Sequence, residues 1–209
     1  RDKITLVIPS PLDSLGLWIE QLIAESTGKE GSGILPVAGE PPGDPAVYSD
    51  DRVFVSIRTE NSVSPEMEAA LEALEQAGHP VIRQVLPGPL DLGGAFLLWE
   101  LATALAGALL EINPFDQPNV QESKDNTRRL LEVFCKEGQM PAQEVLVKEQ
   151  GCRILGETAS RRENLAATTR AHLARVEPGG YLALTAYLPE TDRDHQLLET
   201  IRLRIRDAL

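Results

Sequence analysis

The chain has 209 residues, 42% hydrophobic and 25% charged, a balance that excludes disordered and fibrous classes and allows one sizeable core. Its 32 acidic against 20 basic side chains leave a net charge of −12, which opposes nucleic acid and anionic membranes as partners; a small anionic ligand needs a local positive site. Two cysteines, Cys135 and Cys152, with no CxxC pair, point to neither a zinc site nor a disulfide framework and suit a reducing cytoplasm.

The first run, KITLVIP at 3–9, is apolar and β-branched and predicts a strand buried on both faces. SLGLWIEQLIAEST at 14–27 spaces Leu15, Trp18, Ile19, Leu22 and Ile23 as one helical face, with Ser14 or Asp13 as cap and Gly28 as stop. Short strands follow at 33–39 and 53–58, separated by a Pro-, Gly- and Asp-rich loop. An acidic amphipathic helix at 64–78 leads to a strand at 80–87. The long apolar segment 92–112 carries Glu100 and Glu111 and three glycines, so it reads as a helix covering the sheet rather than a membrane span. A further helix is expected over 119–138, two short strands and an insertion within 140–159, a helix at 160–176, a strand GYLALTAYL at 180–188, and a terminal helix from about 192.

This order predicts an α/β fold with a doubly wound, mostly parallel sheet in three layers, taking 1–209 as a single subdomain. Ligands of such sheets sit beyond the carboxyl ends of the strands. The chain opens at Arg1, without an initiator methionine, directly before a strand, and so reads as a piece of something longer.

Three stretches stand out. In EQLIAESTGK at 20–29, Gln21 and Glu25 are four apart and share a helical face. Glu25 stands in the last turn, where a partly desolvated carboxylate would suit a general base; the alternative is a solvated helix-end acid. GEPPGDP at 39–45 is a strand-end loop whose amides can meet a ligand or simply form a turn. NPFDQPNVQESK at 113–124 is stiffened by Pro114 and Pro118 around FDQ, with Gln117 able to donate and accept, and Lys124 on the next helix either over the loop or solvated. The histidines, His79 among them, read as solvated, and no HxH, HExxH or carboxylate cluster suggests a metal.

Together ESTGK at 25–29, GEP at 39–41 and the FDQ-x-x-V-x-x-x-K spacing at 115–124 resemble the phosphoglucose isomerase family, closest to the isomerase module fused behind a transaldolase in some bacteria. The resemblance covers about residues 3–125 and, more loosely, AYLPE at 186–190. It implies a sugar-isomerase (SIS), flavodoxin-type fold and interconversion of glucose 6-phosphate and fructose 6-phosphate through an enediol, with no metal or organic cofactor. By motif position Glu25 is the proton-shuttling base, Gln21 and Gln117 hold substrate phosphate or hydroxyls, and Lys124 assists ring opening and charge stabilisation. The family commonly has GEPGTNGQH where this chain has GEPPGDPAVYSDD, so its ring-opening histidine has no counterpart here and His79 is the substitute to consider. The family's other SIS half, with its serine- and threonine-rich phosphate loop, would precede Arg1, and pairing as a homodimer is expected. The alternative is a non-catalytic sugar-phosphate-binding SIS module, which would not need a base.

Overall fold

The computed structural model describes residues 1–62, 64–116, 118–141, 143–156, 161–189 and 191–208. Contacts divide the chain into two compact units, Arg1–Asn119 with Leu188–Leu209, and Val120–Tyr187.

In the first unit, four strands, β1 (Lys3–Val7), β2 (Leu35–Ala38), β3 (Arg52–Thr59) and β4 (Val81–Leu86), form an all-parallel sheet in the order β2-β1-β3-β4. Helices α1 (Asp13–Thr27) and α2 (Pro65–Gln76) make the β1–β2 and β3–β4 crossovers, α3 (Asp91–Leu109) follows β4, and α6 (Asp192–Arg206) closes the chain. The α/β class and the flanked parallel sheet agree with the sequence, and the strand order is the opening of the flavodoxin-type arrangement.

Side-chain alternation divides the sheet into two faces. Leu6, Val55, Ile57 and Leu86 point to one, where Leu15, Ile19 and Ile23 of α1 and Ala95 of α3 close an aliphatic core. Ile19 is fully buried there, and burial of such a side chain is worth about 1.5–3 kcal/mol. Trp18 and Phe96 meet edge to face at 4.5 Å and tie α1 to α3. Val7 and Phe54 point to the other face, against Leu71 and Leu74 of α2 and Tyr48.

Local sequence explains the helix ends. Ser64 caps α2, its hydroxyl accepting from the Met67 N–H at 3.2 Å, with Pro65 in the first turn. Neither Asp13 nor Ser14 caps α1: Asp13 is already its first residue, placing negative charge at the amino end of the dipole. The helix after β4, α3, is apolar on all sides by sequence but buried on one: Ala95, Thr103 and Gly107 are covered, whereas Leu97, Leu101 and Leu105 are exposed. By length and composition α3 could cross a membrane, yet its inner side chains Leu92, Phe96 and Trp99 pack on the sheet core.

The second unit holds most of α4 (Pro118–Glu137), the hairpin β5 (Val145–Glu149) and β6 (Cys152–Leu155), and α5 (Leu165–Leu173). Gln150 (φ 51°) and Gly151 (φ 81°) form its two-residue turn, a left-handed pair suited to the strand twist. Asn164 caps α5, accepting from the Ala167 N–H at 2.8 Å. The hairpin and α5 fall within or beside the stretches expected from sequence. The strand expected over 180–188 does not form: residues 181–187 have no regular structure, and Tyr181, Leu184 and Tyr187 are exposed. An apolar run makes a strand only when a neighbour accepts its backbone hydrogen bonds, and the parallel sheet among the described residues stops at four.

Candidate functional site

The end of α1 is built by close backbone approach. Thr27, fully buried, donates from Oγ1 to the Ile23 carbonyl at 2.8 Å and accepts the Ile34 N–H at 3.0 Å, so one hydroxyl joins the last turn of α1 to the residue before β2. Gly28 ends the helix as the sequence indicates, although at φ −73° rather than in the left-handed conformation. A Cβ there would stand 2.8 Å from the Ala24 carbonyl oxygen, so glycine is required by space. Lys29 and Ser32 then exchange backbone hydrogen bonds of 3.1 and 2.8 Å across a tight turn.

The 113–116 turn is seated from two sides. Gly107, near the end of α3, has no side chain where Pro114 packs; a Cβ would lie 2.7 Å from the Pro114 Cγ. From the corner after α1 comes Lys29, 4% exposed at its side chain, whose Nζ donates to the Asn113 carbonyl at 2.6 Å, to the Asp116 Oδ1 at 2.7 Å and to the Asp116 carbonyl. Three ammonium donors thus meet three acceptors. The Phe115 N–H donates to the Asn113 Oδ1 at 3.1 Å and closes the turn on itself. ESTGK and NPFDQ, more than eighty residues apart in the chain, therefore touch through one lysine.

Gln21 and Glu25 share a face of α1 as their spacing predicts, with the Gln21 Nε2 donating to the Glu25 Oε1 at 3.2 Å. Both are exposed, so the desolvation expected for Glu25 is absent within this chain. Glu25, in the last turn, also lies toward the amino edge of the sheet rather than beyond its carboxyl ends, whereas Gln21 is a turn earlier, next to Glu20, which accepts the Ala38 N–H at the end of β2. The cause is topological: α1 runs antiparallel to β1 and β2, so its last turn returns to where β2 begins. Gln117 lies outside the described residues, directly after Asp116 in sequence. Lys124 is exposed on α4, in the second unit. His79 is not brought to Glu25. It is 7% exposed and packs on Phe54 and Tyr48 at ring separations of 5.6 and 6.1 Å, on the face opposite α1, so within this chain its placement does not support the role of substitute ring-opening group.

Several curated relatives this chain resembles are named glucose-6-phosphate isomerase. That of Mycoplasmopsis pulmonis is 29% identical over 55% of this chain and 36% of its own length. That of Rubrobacter xylanophilus is 30% identical over 58% and 37%, and that of Methanocaldococcus jannaschii 27% over 63% and 41%. The chain thus spans well under half the length of these relatives. No family model matches the chain.

The third stretch, GEPPGDP, is clamped rather than open. Arg202 of α6 donates to the Ala38 carbonyl at 3.1 Å, and Arg206 to the Pro41 carbonyl at 3.0 Å. Buried Glu40 accepts from the Tyr48 hydroxyl at 3.3 Å and pairs with Arg206 at 3.5 Å and Arg52 at 3.8 Å. Burial pushes the Tyr48 phenol above its ordinary value and the Glu40 charge adds to this, partly offset by the Gly43 N–H, Arg206 and Arg52. Of the residues that organise these stretches, sequence spacing marks Gln21 and Glu25, and Lys29 and Asp116 lie within the ESTGK and FDQ motifs, whereas Tyr48 and Arg206 carry no local signature.

Proposed function

We propose that this chain carries the base-bearing part of a sugar-phosphate isomerase that interconverts glucose 6-phosphate and fructose 6-phosphate through an enediol. Glu25 takes the proton from C2 of the open-chain aldose; the electrons of that C–H bond form the C1–C2 double bond while the C1 carbonyl oxygen gains a proton. Return of the proton from Glu25 to C1, with loss of the 2-hydroxyl proton, gives the ketose. Gln21, hydrogen-bonded to Glu25, and Gln117 bind hydroxyls or phosphate, and Lys124 neutralises the developing enediolate and assists ring opening. In a chain of net charge −12, such a local cation is also what an anionic sugar requires. The phosphate loop would come from a second SIS half, the working unit would be a homodimer in the cytoplasm, and a preceding transaldolase would fit the subgroup resembled.

The observation that supports this reading most is the Lys29 tether, which brings the stretch leading to Gln117 against the end of the helix bearing Gln21 and Glu25. The resemblance of the chain to proteins named glucose-6-phosphate isomerase adds to it. The test is the interconversion of the two hexose phosphates by the intact protein carrying these residues. Turnover supports the proposal, and sugar-phosphate binding without turnover replaces it with a binding module.

A further inference from the structure

We propose that Lys29 is a positioning residue for the isomerase site: its ammonium holds the 113–116 turn, which leads in sequence to Gln117, against the corner after α1 and thereby fixes that turn relative to the helix bearing Glu25. The inference rests on the function proposed above and concerns a residue that touches none of the reacting atoms.

Three features carry it. First, the ammonium is sequestered while its partner is not: the Lys29 side chain is 4% exposed and that of Asp116 54%. A lysine is almost never buried unless paired. Second, two of its three acceptors are backbone carbonyls, those of Asn113 and Asp116, three residues apart on one turn. A cation that gathers main-chain oxygens fixes the course of the chain, whereas an ordinary surface pair would fix only a carboxylate. Third, Lys29 follows Gly28 directly, and the Lys29–Ser32 backbone exchange, with the Thr27 hydroxyl one step earlier, makes its own backbone part of a rigid corner. Gly33 belongs to the same corner: at φ 153°, a Cβ on it would lie 3.1 Å from the Gly28 Cα. The result is a stiff strut from the base-bearing helix to the turn before Gln117. A strut of this kind matters to a reaction in which base and hydroxyl-binding groups must act on one substrate, because a misplacement of about 1 Å can cost on the order of 10²-fold in rate.

The experiment compares the parent with Lys29→Met, Lys29→Arg and Asp116→Asn in the intact protein. Steady-state isomerisation, amide hydrogen exchange over 112–116 and thermal melting are measured on each. Lys29→Met should lower kcat by roughly 10- to 100-fold with a KM change below about threefold, well beneath its melting temperature, as expected for loss of orientation. The same variant should speed exchange at 112–116 by about tenfold or more, a local opening that leaves the middle of α1 protected. Lys29→Arg keeps the charge and should recover part of both losses, while Asp116→Asn, at an exposed carboxylate, probes the contact without touching the core and should give a smaller kcat loss. A folded Lys29→Met protein with parental kcat, or with parental exchange at 112–116, overturns the proposal. A Glu25→Gln protein that isomerises normally overturns the functional reading instead, and the two failures are told apart by which variant is silent.

Discussion

The two faces of the parallel sheet are held by different forces. Under α1 and α3 the contacts are aliphatic, with Leu6, Val55 and Ile57 of the strands against Ile19, Ile23 and Ala95. On the other face the apolar patch of Val7, Phe54, Leu71 and Leu74 is ringed by charge: Lys3 with Asp51 at 2.6 Å, Arg52 with Thr5 at 2.9 Å, Arg83 with Glu68 at 2.9 Å, and Glu40 with Arg206. The helix bearing Glu25 belongs to the first face. Its position is therefore set by area buried, whereas the clamp on GEPPGDP depends on ion pairs and directed hydrogen bonds.

Substitutions can break this contrast or sharpen it. The largest losses should come from deleting buried apolar bulk on either face: Phe54→Ala by about 3–5 kcal/mol and Ile19→Ala by about 2–5 kcal/mol in denaturant unfolding. Values far apart for the two would mean that one face contributes little to the core. Removing the Glu40 carboxylate with Glu40→Ala should cost about 1–3 kcal/mol, because it takes the acceptor from the Tyr48 hydroxyl and the anion from between Arg52 and Arg206. The Ile19→Ala loss should not respond to salt, and the Glu40→Ala loss, at a buried pair, only weakly.

Smaller effects appear at the extremes of pH. Burial alone would push the Asp51 carboxyl up, but the Lys3 hydrogen bond and charge, with Arg52, hold it below the usual carboxylate range. Because the folded value is depressed, the Asp51 contribution is fully present above its unfolded value of about 3.9 and is lost as pH falls through the lower folded value. Asp51→Asn should flatten the acid limb of the stability curve. Tyr48 has the opposite sign: its raised value favours the folded state until pH passes about 10 and is lost as pH rises through the folded value. Tyr48→Phe should remove that alkaline limb and cost about 0.5–1.5 kcal/mol at neutral pH, measured by thermal melts across pH.

Much of the first unit is legible in the sequence because its signals are local. The spacing of Leu15, Ile19 and Ile23, the Ser64-Pro65 start of α2 and the apolar strands predict elements that form close to where expected. What fails is what depends on partners distant in the chain. The run at 180–188 has strand composition without a strand to pair with, and its side chains stand exposed. His79 looks solvated from its neighbours and is buried by rings from Tyr48 and Phe54. Lys29 is the sharpest instance: the sequence places it in ESTGK, but only the return of the chain at Asn113 and Asp116 makes it the link between two motifs. Gln21 and Glu25 are legible as a pair because an i, i+4 relation is fixed by the helix itself.

The most direct measurement is the exchange of the C2 proton of glucose 6-phosphate with solvent deuterium, catalysed by the intact protein and by its Glu25→Gln variant. The account predicts that the parent exchanges this proton and that the variant loses at least ~10² of the rate, the usual scale for a general base. Equal exchange by both proteins would contradict the assignment of Glu25 as the base.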